Sequence, residues 1–320
     1  MKRSVLKNIK KHDTAAETLG HEIKITQAGI ADDYSRLLLM PRSPEIITAT
    51  AIAVPDPLGY VRTDFIKACN NIRVGGGTPV MMQDAIIMPE DDERELKAIV
   101  RELDEVAASA DVIISGGHTE IICTLSEPVI TMTVIGISGC DSLNIENIRP
   151  GMDIVMCGQT AILGTVLIYH RYRDELLGRY SKDYLRTAER LSEYIALGKQ
   201  TDIAIRDGAE YMHDISTGGV FAALWELADG ADCGIRIDHD AIPILQETIE
   251  ICEFIGVNPY MADGSGAFLI VCEDGTTLCD DLYEAGYEAA VIGKVTAGHD
   301  RVVIHDDEER FLNPPKGEYY

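Results

Sequence analysis

The sequence predicts an α/β or α+β protein built from two halves of similar size. Short runs rich in β-branched residues alternate with segments of helical spacing along the whole chain. A polar junction, "NIENIRPGMDIVMCG", interrupts that alternation near its middle, so the boundary is expected at 145–152 and the halves at 25–148 and 149–320. No repeat relates the two halves at the level of sequence.

In the first half, "EIITATAIAV" (45–54) has the composition of a strand. "VRTDFIKACNNI" (61–72) has helical spacing, and the following "RVGGGTP" must end it. "VMMQDAIIM" is a second strand. "EDDERELKAIVRELDEVAASA" is the clearest helix: Leu96, Ile99, Val100, Leu103 and Val106 recur at three- and four-residue steps behind an acidic first turn. "DVIIS" and "PVITMTVIGIS" follow as strands. Residues 1–24 start with Lys2, Arg3, Lys7, Lys10 and Lys11 and are expected to form a short amphipathic helix or a frayed arm. They lack the apolar segment of a secretory signal.

In the second half a strand is expected at Ile154–Cys157, and helices at 161–171, 183–197 and 202–212. "MHDISTGGVFAALWELA" reads as a polar loop opening a helix. Next come "CGIRI" (strand), "PILQETIEICEFIG" (helix), "GAFLIVC" (strand), "TLCDDLYEAG" (helix), "EAAVIGKV" (strand) and "RVVIH" (strand).

Composition narrows the function classes. The chain has 320 residues, 53 acidic against 28 basic side chains and a net charge of −25, a balance that phosphate backbones and anionic membranes repel. Nucleic acid is therefore not an expected partner, and no apolar run is long enough for a membrane span. Eight scattered cysteines without a C-x-x-C pair read as buried free thiols of a reducing cytoplasm.

Four loops set glycines beside reactive side chains. In "AGIADDYSR", Asp32 and Asp33 are either Mg²⁺ ligands or a solvated turn. In "CNNIRVGGGTP", the glycines bring backbone amides to an anion or make a tight helix-to-strand connection; no Gly-Lys-Ser/Thr follows, so it is not a Walker A loop. In "DVIISGGHTE", an apolar strand stops at Ser115 and presents His118, Thr119 and Glu120. His118 is there a metal ligand, a phosphate donor, a general acid or base, or a hydrogen-bonded turn residue. In the fourth, Asp214, Ser216 and Thr217 precede Gly218-Gly219. A plain cap explains Thr217, but it explains two glycines less well unless something approaches the backbone closely.

Taken in order, these loops resemble the AIR synthase-like (PurM) superfamily, and most closely its HypE-like hydrogenase maturation members, over roughly residues 25–312. "GIADDYSRLL" is similar to G-x-x-D-D-A-A-V-L, "ACNNIRVGGGTPV" to N-D-L-A-x-x-G-A-x-P, "RPGMDIVMCG" to R-P-G-D-x-I-x-x-T-G, and "MHDISTGGVFAALWELA" to M-R-D-P-T-R-G-G-L-A-x-x-L-N-E-I-A. "VIISGGHTEI" resembles the glycine motif at a strand end; "ADGSGAFLIV" and "AAVIGKVTAG" resemble the two closing strands.

The resemblance implies a two-domain fold: an N-terminal sheet domain that pairs two subunits through a dimer barrel, and a C-terminal α/β domain. It implies ATP with Mg²⁺, and phosphoryl transfer to an oxygen of a small-molecule or carbamoyl-type substrate. On that reading Asp32 and Asp33 hold metal. Asn71, Gly116, Gly117, Thr119, Thr217, Gly218 and Gly219 bind the nucleotide, and His118 and Asp214 serve catalysis. The chain also departs from the pattern. Family aspartates fall on Thr50, Asn71 and His118, which should weaken Mg²⁺ binding. Where HypE has its P-R-I-C tail this sequence has "FLNPPKGEYY", with Cys279 the last cysteine, so the cyanide-forming chemistry is not expected in its known form. The alternative is a catalytically degenerate binding or partner module on the same fold.

Overall fold

The computed structural model describes residues 14–18, 21–26, 34–40, 44–139, 143–306 and 308–315, the first three spans as backbone alone. The chain divides into two compact units, Met1–Asp141 and Ser142–Tyr320. The seam lies slightly before the predicted one because the junction residues are tied to the second unit. Asn144 N–H donates to the Glu210 carbonyl at 3.0 Å, and Asn147 Nδ2 donates to the Glu210 carboxylate at 3.0 Å.

The first unit contains β1 (Thr14–Thr18), β2 (His21–Thr26), β3 (Tyr34–Met40), β4 (Glu45–Ala53), α1 (Arg62–Val74), β5 (Thr78–Met88), α2 (Glu93–Ser109), β6 (Ile113–Ile121) and β7 (Val129–Ser138). Its sheet has the order β1-β2-β3-β4-β7-β5-β6. Part of the predicted arm therefore belongs to the sheet: β1 and β2 pair as an antiparallel ladder that continues into β3. Among the described strands of this unit, β5 and β6 form the parallel pair, joined through α2 as a βαβ crossover.

Period-two alternation decides which face is covered. Ile47, Ala49 and Ala53 of β4 and Ile130, Met132 and Val134 of β7 are buried, together with Phe65, Ala68 and Ile72 of α1. The intervening residues form an open face, where Ile52 and Ile137 are 65% and 45% exposed. The start of α1 has no side-chain cap of its own. Glu102 of α2 supplies one, its carboxylate accepting from the backbone amides of Tyr60, Val61 and Arg62 at 2.9–3.1 Å. Gly59 has φ +145°, and a Cβ there would overlap the Glu102 carboxylate.

The second unit contains β8 (Asp153–Cys157), α3 (Ile162–Arg171), α4 (Arg173–Leu177), α5 (Lys182–Arg190), α6 (Lys199–Arg206), β9 (Ala209–Ile215), α7 (Gly219–Gly230), β10 (Gly234–Asp238), α8 (Gln246–Ile255), β11 (Ala267–Cys272), α9 (Gly275–Glu284), β12 (Ala289–Thr296), β13 (Arg301–His305) and β14 (Glu308–Phe311). Its sheet runs β14-β13-β10-β12-β8-β11-β9. The interior strands β8 and β11 are buried at every position, which is why both read as unbroken apolar runs. One core lies between the sheet and α7, centred on Met156, Tyr211, Leu224 and Leu269; a second joins α3, α5 and α8 through Ile168, Leu185 and Ile251.

Two predicted helices end early. The segment 183–197 becomes α5 followed by a 3₁₀ turn at Leu191–Tyr194. The segment 202–212 is split at Gly208, whose φ of +92° stops α6, and the chain continues as β9. Met212, His213 and Asp214 consequently sit in a strand and not in a polar loop.

Candidate functional site

The "DVIISGGHTE" stretch departs from its sequence reading. The strand does not stop at Ser115: β6 continues through both glycines to Ile121, in parallel register with β5, Gly117 opposite Asp84 and His118 opposite Ala85. The edge position explains the misreading. An edge strand needs no continuous apolar run, and residues 117–121 are exposed. His118 lies on the open face with Nε2 3.2 Å from the Glu120 carboxylate, an exposed pair two residues apart on one strand. Gly117 has a packing reason: a Cβ there would lie 2.6 Å from an Asp84 carboxylate oxygen. Burial pushes the Asp84 pKa up. Asp84, inside a predicted strand, was not marked by any adjacent glycine or by a motif in the sequence.

Asn71 lies in the last turn of α1, and its Oδ1 is buried without a hydrogen-bond partner. An orphaned buried oxygen is costly unless a donor or cation meets it, so Asn71 fits an oxygen-seeking cation or a ligand N–H. Gly75, Gly76 and Gly77 connect it to Thr78 at the start of β5, whereas His118 and Thr119 sit opposite Ala85 and Ile86. Seven residues of strand, about 23 Å, separate those two levels. Asp32 and Asp33, the carboxylates expected to complete a Mg²⁺ shell, lie outside the described residues. Thr50, at another family aspartate position, hydrogen-bonds Thr133 Oγ1 at 3.0 Å across strands.

The second unit is more concentrated. Asp214 is buried in β9, opposite Phe268 of β11. Beside it His213 Nε2 lies 3.4 Å from the Glu226 carboxylate, a buried pair linking β9 to α7. Thr217 is exposed and does not cap α7; the N-cap is Gly218, φ +92°, with no side-chain cap. What approaches the Gly219 backbone is the protein's own chain, since a Cβ there would meet the Tyr260 and Ala262 carbonyl oxygens at 2.5 and 2.6 Å. Asp263 Oδ1 fixes that segment by accepting from Ser265 N at 2.9 Å and Ser265 Oγ at 2.6 Å.

Gly218 and the first turn of α7 open onto a cavity of about 500 Å³. That volume lies within the range of small-molecule sites. One wall is aromatic: Phe221 stacks on Tyr260 at 5.2 Å, and His239 lies 4.6 Å from the Tyr260 ring. His305, its ring 4.6 Å from that of His239, and Arg310 also line the cavity. Burial and the Asp240 charge push the Tyr260 hydroxyl pKa up. An uncapped helix start on such a cavity offers free amides to an anionic group. No described cysteine is prepared as a nucleophile there: burial pushes Cys157, Cys252 and Cys272 up to about 12, and Cys279 to about 11.

The chain matches known proteins along most of its length. The family model "AIR synthase related protein, N-terminal domain" covers residues 46–138, and its C-terminal counterpart covers 149–306. The carbamoyl dehydratase HypE of Rhodobacter capsulatus is 27% identical over 299 residues, 87% of this chain and 81% of that protein. The crystal structure of Escherichia coli HypE superposes with a TM-score of 0.71 at 21% identity, over 99% of this chain and 95% of that one. A structure of HypE in complex with ATP gives 0.67 at 18% identity, over 86% of each chain.

Proposed function

Because the chain belongs to the AIR synthase-related family, with the two-domain PurM-like fold of its HypE-like members, we propose that it is an ATP-dependent enzyme. It transfers a phosphoryl group to an oxygen of a small-molecule or carbamoyl-type substrate. The observation that carries this reading is the uncapped start of α7, opening at Gly218 onto a cavity of small-molecule size. Free amides and the helix dipole there favour an anionic ligand group. Asp214, held rigidly in β9 a few residues before that turn, is the carboxylate nearest in sequence to act on it. The ATP complex of a HypE relative supports the choice of nucleotide.

Mg²⁺ would supply charge neutralisation on the phosphates when bound. Of this chain's residues, Asn71 fits as an oxygen ligand through its orphaned Oδ1, with Asp32 and Asp33 as carboxylates. The protein's own contribution is orientation: the α7 start at Gly218, which lines the cavity, holds an anionic group, and the Phe221–Tyr260 wall limits water. Calorimetric titration of ATP with and without Mg²⁺ tests the reading. Micromolar, Mg²⁺-dependent binding, with turnover abolished in Asp33→Asn while the fold persists, is expected. Absence of binding in both conditions overturns it.

A second reading is a non-catalytic partner module. Two of the family aspartate positions carry side chains engaged with neighbours, Thr50 with Thr133 and His118 with Glu120. It requires that no substrate elicits metal-dependent ATP hydrolysis. In either case we propose a homodimer through the open face of the first sheet, where Ile52 and Ile137 lie uncovered.

A further inference from the structure

The parallel pair β10–β13 sets Asp238 opposite Ile304, so the residues that follow, His239-Asp240 and His305, emerge side by side at one end of the sheet. Asp240 Oδ1 lies 2.7 Å from His305 Nδ1 and 3.3 Å from His239 Nδ1. The two imidazole rings are 4.6 Å apart. One ligand atom from each residue falls within 4.8 Å of the others, and among the described residues no other group of three His, Cys, Asp or Glu does so. Both histidines also line the 500 Å³ cavity.

We propose that His239, Asp240 and His305 form a binding site for a divalent first-row transition metal, opening on the cavity. The donor set is two imidazoles and one carboxylate. That set suits zinc and its neighbours, whereas Mg²⁺ prefers oxygen ligands alone. Tetrahedral ligands at zinc bond lengths stand about 3.3 Å apart, so the observed 2.7 and 3.3 Å spacings need side-chain adjustment and no backbone movement. Three protein ligands leave a position for water or a small molecule. The Tyr260 ring packs against the His239 imidazole, 4.6 Å between centroids, and restricts its orientation. The donor set lies wholly in the second unit and shares no residue with the expected Mg²⁺ ligands, and it does not depend on the ATP reading.

The test is equilibrium dialysis of the untagged full chain against zinc chloride, without nucleotide. One equivalent bound at micromolar or tighter affinity is expected. His239→Ala, His305→Ala and Asp240→Asn should each weaken it at least tenfold. Asp240→Asn is the control for packing, because it keeps a hydrogen-bond acceptor and removes the anionic ligand. His299→Ala should leave binding unchanged, since His299 pairs with Asp232 at 3.4 Å, outside this cluster. Cobalt(II) bound to the unaltered chain should give visible d–d absorption that His305→Ala loses, with its thermal unfolding still cooperative. No zinc binding, or binding that all three variants retain, overturns the proposal and leaves the cluster a hydrogen-bonded contact between β10 and β13.

Discussion

Asp84 is the residue at which packing and titration meet most clearly. Its carboxylate fits because Gly117, opposite it on β6, has no side chain. Burial raises its pKa, so the folded state favours the protonated form. That contribution to stability is fully present below the unfolded value, about 4, and is lost as pH rises through the raised folded value. Asp84→Asn should therefore raise the melting temperature at pH 7 by about 1–2 °C, small because the carboxylate keeps solvent contact, and change it little at pH 3. A melting temperature lowered at pH 7 would contradict the assignment. Motif order marked Asn71, Asp214 and Gly218-Gly219 as candidates in the sequence. It was not legible at Asp84, whose role depends on a glycine 33 positions away in sequence.

At the scale of elements, the sequence located most helices and strands through their periodicity, but it does not show stability borrowed from elsewhere in the chain. The α1 start, read within one residue of its observed position, is held in a way its own sequence does not mark. Its local sequence offers no cap, and Glu102, forty residues on, accepts from the amides of Tyr60, Val61 and Arg62 that lead into it. Glu102→Ala should cost about 2–3 kcal/mol in urea denaturation, the range for losing charge-assisted capping bonds, and Glu102→Gln less. A loss below about 0.5 kcal/mol would mean water replaces the carboxylate at no cost. β6 and β9 were misread for a related reason. An edge strand and a buried strand carrying His213 and Asp214 both lack the alternation that marks a half-covered strand.

At the scale of the whole molecule, the uncovered face of the first sheet bears on assembly. In solution the chain should run as a dimer, twice its 35.0 kDa mass by light scattering. Ile52→Lys combined with Ile137→Lys should yield the monomer mass, because charge at a buried apolar contact is not tolerated. A monomer from the unaltered chain would remove the proposed interface. The sequence by itself determined the two-part α/β architecture, the acidic net charge, and the family, since these follow from local periodicity, composition and motif order. Only the tertiary structure decided which of the marked residues meet. Strand register placed His118 opposite Ala85 on the open face of β5, and it brought His239 and Asp240 beside His305 across 65 residues of chain. Register is a property of paired strands, set by packing between segments distant in sequence, and no single segment encodes it.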